Sequence, residues 1–270
     1  MNPSPVRLRL EIAYDGTAYQ GWQTQKVGTG VQSVVETALR ILFPGAGPLH
    51  GCSRTDTGVH ARSLVAHVDV PPAEWRMPAR KLVLALNAHL PEDVRLISAR
   101  RAAPHFHARF HTAGKQYRYF IWNHPALHPL HRHHAWHVTR PLDVPAMKEA
   151  ARHLVGRHDF AAFTVNPGYA RTSTIRTITR CEVQRRGSAI TVIIEGDGFL
   201  YRMCRSIVGT LAQVGMGKID AGSLPDQIAS RDRRESGMTA PALGLVLWSV
   251  RYQPGRPASE SAEPDPTDGE

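Results

Sequence analysis

Residues 6–16 read VRLRLEIAYDG, and the period of that stretch sets the fold class. Val6, Leu8, Leu10, Ile12 and Tyr14 fall on one face of an extended chain, with Arg7, Arg9 and Glu11 on the other. This alternation predicts a strand with one face buried. Asp15-Gly16 then turns the chain. Beyond the turn the period changes. Val31, Val34, Val35, Ala38, Leu39 and Leu42 recur at helical spacing, which predicts a helix over Val31–Phe43 ended by Pro44-Gly45. Ser63–Val70 reads as a second strand stopped by Pro71-Pro72, and Pro78–Leu90 as a helix with Pro78 near its first turn. Val94–Arg101 is a third strand. The order over this half is β-α-β-α-β.

The other half repeats that mixture. Lys115–Trp122 reads as a strand and Val144–Leu154 as a helix. Arg176–Arg185 and Ala189–Gly196 form a hairpin around Arg186-Gly187-Ser188. Phe199–Val214 places Met203, Ile207, Leu211 and Val214 on one helical stripe. Leu224–Arg231 is a shorter helix and Gly244–Arg251 a last strand. Element order alone therefore predicts two related α+β lobes, residues 1–104 and 105–252, without a residue-level repeat. Residues 253–270 are rich in Pro, Ser, Ala and acids, and are expected to form a disordered tail.

Composition bounds the function. A chain of 270 residues with 42% hydrophobic and 21% charged residues can bury a core without staples. Its cysteines, Cys52, Cys181 and Cys204, are odd in number and have no C-x-x-C spacing, which predicts a reducing, cytoplasmic setting. Met1–Leu10 lacks a long apolar stretch, and the apolar run around Ala242–Val250 is too short to span a bilayer, so neither a signal peptide nor a membrane is expected. The net charge is +10, and the acidic tail accounts for −4, so residues 1–252 carry +14. A body so positive predicts an anionic partner, nucleic acid first.

Three segments can carry chemistry. Gly51–Ala61, GCSRTDTGVHA, is a small polar loop with Asp56 at its centre and Arg54 and His60 nearby. An Asp in such a place most often caps a turn through its own backbone, but the loop can also present a carboxylate in a defined place. Phe199–Gly209, FLYRMCRSIVG, puts Arg202 and Arg205 on an otherwise apolar helix, where an arginine either snorkels or needs a partner. Phe106–Phe120, FHARFHTAGKQYRYF, interleaves Arg109, Lys115 and Arg118 with aromatics, a mixture suited to unpaired RNA bases or to a strand with one aromatic face in the core. Nine histidines fall between His105 and His137, yet no H-E-x-x-H or cysteine set accompanies them, so a metal is not expected. P-loop, dinucleotide and RRM fingerprints are absent from the sequence.

Taken together, these segments resemble the tRNA pseudouridine synthase A family. The resemblance runs through Tyr14-Asp15-Gly16-Thr17, Gly21-Trp22-Gln23-x-Gln25, Ser53–Ala61, Asn87-x-x-Leu90-Pro91-x-Asp93 and Phe106-His107-Ala108-Arg109. It continues through Tyr117-Arg118-Tyr119, Gly156-x-x-Asp159-Phe160 and Met203-x-Arg205-x-Ile207-Val208-Gly209. Gly51-Cys52-Ser53 departs from the family's usual Gly-Ala-Gly before the Arg-Thr-Asp, and the acidic tail lies outside the resemblance. What it implies is the pseudouridine synthase fold: two α+β lobes sharing a central, mostly antiparallel sheet. It also implies a homodimer that needs no cofactor and isomerises uridine at positions 38, 39 and 40 in the anticodon stem-loop of tRNA. The nucleophilic aspartate falls on Asp56, its ion-pair partner on Arg205, and the substrate-binding residues on Tyr117 and Arg54. Attack on uracil C6 and on ribose C1′ are both open to such a carboxylate. A synthase acting on other RNA uridines, a non-catalytic RNA-binding protein, and a metal-dependent hydrolase built on the histidines are the alternatives.

Overall fold

The computed structural model describes residues 4–24, 28–166 and 173–253. Gln25 of the opening motif and the tail from residue 254 lie outside the described residues. In chain order the first elements are β1 (Val6–Tyr14), α1 (Val31–Leu42), β2 (His50–Gly51), β3 (His60–Val70), α2 (Ala79–Asn87) and β4 (Val94–Arg101). There follow β5 (Thr112–Asn123), β6 (Trp136–Val138), α3 (Val144–His153), β7 (Gly156–Asp159), β8 (Ile175–Arg186) and β9 (Ala189–Gly196). The last are α4 (Met203–Gly215), α5 (Leu224–Ser230) and β10 (Leu245–Tyr252). The fold is α+β, and its contacts group into two compact units. One runs to Ala113 and takes back the chain from Leu247; the other is Gly114–Val246.

In the first unit the strand order is β4-β1-β3-β10, with β2 attached to β3. β1 pairs antiparallel with both β3 and β4. The expected alternation holds: Leu8, Leu10 and Ile12 are fully buried and Tyr14 nearly so. β3 is central, and Leu64–Val68 are buried on both faces, as a doubly covered strand requires. α1 buries Val31, Val35, Ala38 and Leu39 along one stripe. It has no side-chain N-cap; its first amides are taken by the carbonyls of Gly21 (3.1 Å) and Trp22 (2.8 Å). The register of β1 shifts against β3 between Ile12 and Tyr14, and Tyr14 ends opposite Ala61. Such irregularities re-aim side chains beside a site.

In the second unit the order is β5-β9-β8-β7, all antiparallel, with short β6 parallel to β5. Buried Asn123 at the end of β5 donates to the carbonyls of Val138 (3.0 Å) and Arg140 (2.6 Å) and accepts from Leu142 N–H (3.2 Å), fixing the crossover towards α3. α4 differs from the sequence reading. An apolar stripe predicts one buried face, yet Met203, Cys204 and Ser206–Ala212 are all buried. The helix runs through the unit's interior. Gly209 and Gly215 allow this: a Cβ at Gly209 would stand 1.8 Å from the Met238 carbonyl oxygen, and one at Gly215 would stand 2.8 Å from Met147 sulfur. The helix also starts at Met203 rather than Phe199, because Arg202 is left-handed (φ 58°).

Candidate active site

Asp56 lies in the loop between β2 and β3, half-buried, with Thr55 buried before it and Arg54 exposed. The opening motif moulds this loop. The Tyr14 and Thr55 hydroxyls are 2.8 Å apart in a buried hydrogen bond. Trp22 N–H donates to the Thr55 carbonyl (3.2 Å), and Gly58 N–H donates to that of Tyr19 (3.2 Å). Val59 N–H closes a turn on the Asp56 carbonyl (3.1 Å), and His60 Nδ1 accepts from Gly16 N–H (3.0 Å).

The motif's glycines are required by this close approach. A Cβ at Gly16 would sit 2.1 Å from the Val59 oxygen. At Gly21, which is also left-handed at φ +91°, it would sit 2.2 Å from the Thr55 oxygen. Gly51 leaves room for the Trp22 indole, whose Nε1 would stand 2.5 Å from an added Cβ. Burial pushes the Tyr14 phenol well above its ordinary value, so it stays a neutral hydrogen-bonding hydroxyl.

A second layer supports the mould. Asn87 bonds both Leu96 N–H (2.8 Å) and the Leu96 carbonyl (2.9 Å), tying the end of α2 to β4. Asp93 then accepts from the Tyr19 hydroxyl (2.6 Å), and its carbonyl accepts from Asp15 N–H (2.9 Å). The Asn87–Asp93 motif therefore reaches the Asp56 loop through Tyr19, a role its spacing does not disclose.

In the second unit, Tyr117 is buried on β5 opposite Ile194, with its ring edge-on to Phe199 at 5.2 Å. Arg205 stands in the first turn of α4, half-buried. Its Nε donates to the Ala240 carbonyl (2.8 Å), and its own carbonyl accepts from Ala240 N–H (3.0 Å). The neighbouring Tyr119 hydroxyl donates to the Pro241 carbonyl (2.8 Å). Burial raises that phenol while the Arg205 charge opposes the rise. The segment Gly237–Pro241 thus orients Arg205, and sequence reading missed it. A Cβ at Gly237 would stand 2.6 Å from Thr210 Cα, so its glycine was the available signal. Asp159 of the Gly156-x-x-Asp159 motif caps the turn at Ala161 N–H (3.1 Å) and lies 3.1 Å from Arg231 Nε.

Several clustered histidines hold backbone. Nδ1 of His107 accepts from Arg109 N–H (3.2 Å), that of His111 from His107 N–H (3.1 Å), and that of His128 from Leu130 N–H (3.3 Å). Ala108 N–H donates to His67 Nδ1 (3.2 Å), while Ala108 O accepts from the Tyr252 hydroxyl (2.6 Å). No helix among the described residues is long and apolar enough to cross a membrane.

Comparison with known proteins converges on one family. The sequence profile of a family described as tRNA pseudouridine synthase matches residues 150–253. The chain is 42% identical over 245 residues to "tRNA pseudouridine synthase A" of Thermoanaerobacter sp. (strain X514), covering 91% of this chain and 99% of that one. It is 43% identical to the protein of that name from Shouchella clausii (91% and 93% covered), and 41% identical to that from Myxococcus xanthus (93% and 94%). A solved structure, "Crystal Structure of a Cbf5-Nop10-Gar1 Complex", overlaps 77% of this chain and 44% of its own at 14% identity with a TM-score of 0.33, too slight a likeness to carry an argument.

Proposed function

The chain belongs to the tRNA pseudouridine synthase A family and is an isomerase of uridine in tRNA; from that premise we propose that Asp56 is its nucleophile and the anticodon stem-loop, at positions 38, 39 and 40, its target. The observation that carries the proposal is the mould around Asp56. Three glycine contacts and a buried Tyr14–Thr55 hydroxyl pair fix the loop on either side of one half-buried carboxylate.

The reaction breaks the C1′–N1 bond and makes a C1′–C5 bond between the same ribose and uracil. N1 gains a proton and C5 loses one, so no oxidant, reductant or added atom is required, and no cofactor is proposed. Asp56 supplies a covalent nucleophile that holds one fragment while the base turns. Arg205, which keeps its proton at every accessible pH, is proposed as its ion-pair partner. Its bonds to Ala240 support that role by leaving the guanidinium few orientations. Tyr117 is proposed to face the base, supported by its edge-on contact with Phe199. Exposed Arg54 is proposed to help displace the target nucleotide, which must leave its stack at a cost of a few kcal/mol. The +14 body offsets part of that cost through phosphates. A homodimer in the cytoplasm, with lobes divided near residue 105, completes the reading.

Tritium release from tRNA labelled at uracil C5 tests it. The native chain is expected to release tritium and Asp56→Ala to release none while still binding tRNA. Turnover by Asp56→Ala at the native rate would remove the nucleophile from this position.

A further inference from the structure

Two arginines of the described chain have left-handed backbones, Arg202 at φ 58° and Arg231 at φ 55°. Arg231 follows the last residue of α5, where helices commonly end in that conformation. Arg202 precedes the first residue of α4, where an extended residue is the norm, and no side chain caps that end. The strain has a visible cause. Leu200 and Met203 are both buried, Met203 N–H is bonded to the Leu200 carbonyl (3.0 Å), and Ser206 N–H is bonded to that of Arg202 (2.9 Å). The Tyr201 carbonyl is held by the Thr164 hydroxyl at 3.0 Å. Between these anchors Tyr201 is exposed and Arg202 part-buried.

Glycine or asparagine would satisfy that backbone more cheaply. Arginine adds a second penalty here: its Nε is buried and has no hydrogen-bond partner among the described residues. The guanidinium lies over the Tyr201 ring at 4.9 Å, and that ring is 36% exposed. The buried Nε is out of a ligand's reach, so any contact falls to the two terminal nitrogens of a guanidinium that a strained backbone holds on a part-exposed ring. Its position, three residues before Arg205 at the same end of α4, places it beside a residue assigned to the reaction.

We propose that Arg202, steadied on the Tyr201 ring, is a substrate-binding residue that takes a phosphate oxygen of the tRNA backbone. The planar guanidinium suits a phosphate, and its partner would arrive only with the substrate. The inference rests on tRNA being the substrate and is independent of the role of Asp56.

Equilibrium binding of unmodified tRNA to the full chain, measured across a series of salt concentrations beside the thermal midpoint, tests it. Arg202→Asn and Arg202→Gly are expected to bind roughly five- to tenfold more weakly, and the log–log salt slope is expected to fall by about one. Both should melt no lower than the native chain, because both fit the left-handed backbone. Arg202→Lys should keep the salt slope and recover part of the affinity. Native affinity and slope in the Asn and Gly variants would overturn the proposal. So would a lowered melting temperature in both, which would make the side chain structural. Failure of the native chain to bind tRNA at all would instead overturn the premise about the substrate.

Discussion

Thr55 is buried beside Asp56, the proposed nucleophile, and a buried hydroxyl needs a partner. Tyr14 is that partner, 41 residues away in sequence. Removing either hydroxyl strands the other, at a cost of about 1–3 kcal/mol, whereas removing both replaces a polar pair by apolar surface. Tyr14→Phe and Thr55→Val are therefore each expected to lower stability, with the double variant costing less than their sum. Denaturant midpoints in a double-mutant cycle would read a coupling of about 1 kcal/mol. Additive effects would show that the two hydroxyls act separately. Asp56, Tyr117, Arg205 and Arg54 could be proposed as site residues from sequence through a family resemblance; the contacts around them could not. The Arg205–Ala240 and Tyr14–Thr55 contacts link distant residues whose types are ordinary, and no spacing marks such pairs.

At the level of elements, His67 shows how one strand carries a pH response. It lies opposite His50 in the β2–β3 pairing, with ring centroids 4.9 Å apart, and 4.6 Å from the ring of His107. Arg7 and Asp69 form an ion pair nearby, at 2.6 Å. Burial first, then the His107, His50 and Arg7 charges, push the His67 imidazole down from 6.5 to about 3, with Asp69 opposing. Its Nδ1 accepts from Ala108 N–H, a bond that a proton there would break. The folded state therefore holds His67 neutral while the unfolded chain protonates it below 6.5. Its contribution is complete above that pH and is lost as pH falls towards about 3, at a slope on the order of 1.4 kcal/mol per pH unit at most. His67→Asn should flatten the fall in thermal midpoint between pH 6.5 and pH 4; an unchanged fall would assign it to other groups. Long periodic elements such as β1, β4 and β9 were legible in sequence to within a residue. β2, β6 and β7 were not, because two to four residues carry no period.

For the whole molecule, the least local feature is the return of the chain from Leu247 to the first unit. There β10 neighbours β3, the Arg62 guanidinium lies 4.6 Å from the Trp248 ring, and that of Arg9 lies 4.5 Å from the Tyr252 ring. Element order gave no sign of it, since a strand's partner across more than a hundred residues leaves no mark on its own sequence. A chain stopped after Val246 should lose hydrogen-exchange protection in β3 by several orders of magnitude, while a stop after Gln253 should leave it native; equal protection in both would make β10 dispensable. The return also bears on how the protein is made. The first unit leaves the ribosome complete except for its final strand, which follows more than a hundred residues later. At roughly 5–20 residues per second, the edge of β3 beyond its short pairing with β2 stands uncovered for on the order of ten seconds in every round of synthesis. An uncovered edge recruits other strands. The nascent chain is therefore most exposed to misassembly, and most in need of a chaperone, before β10 has been made.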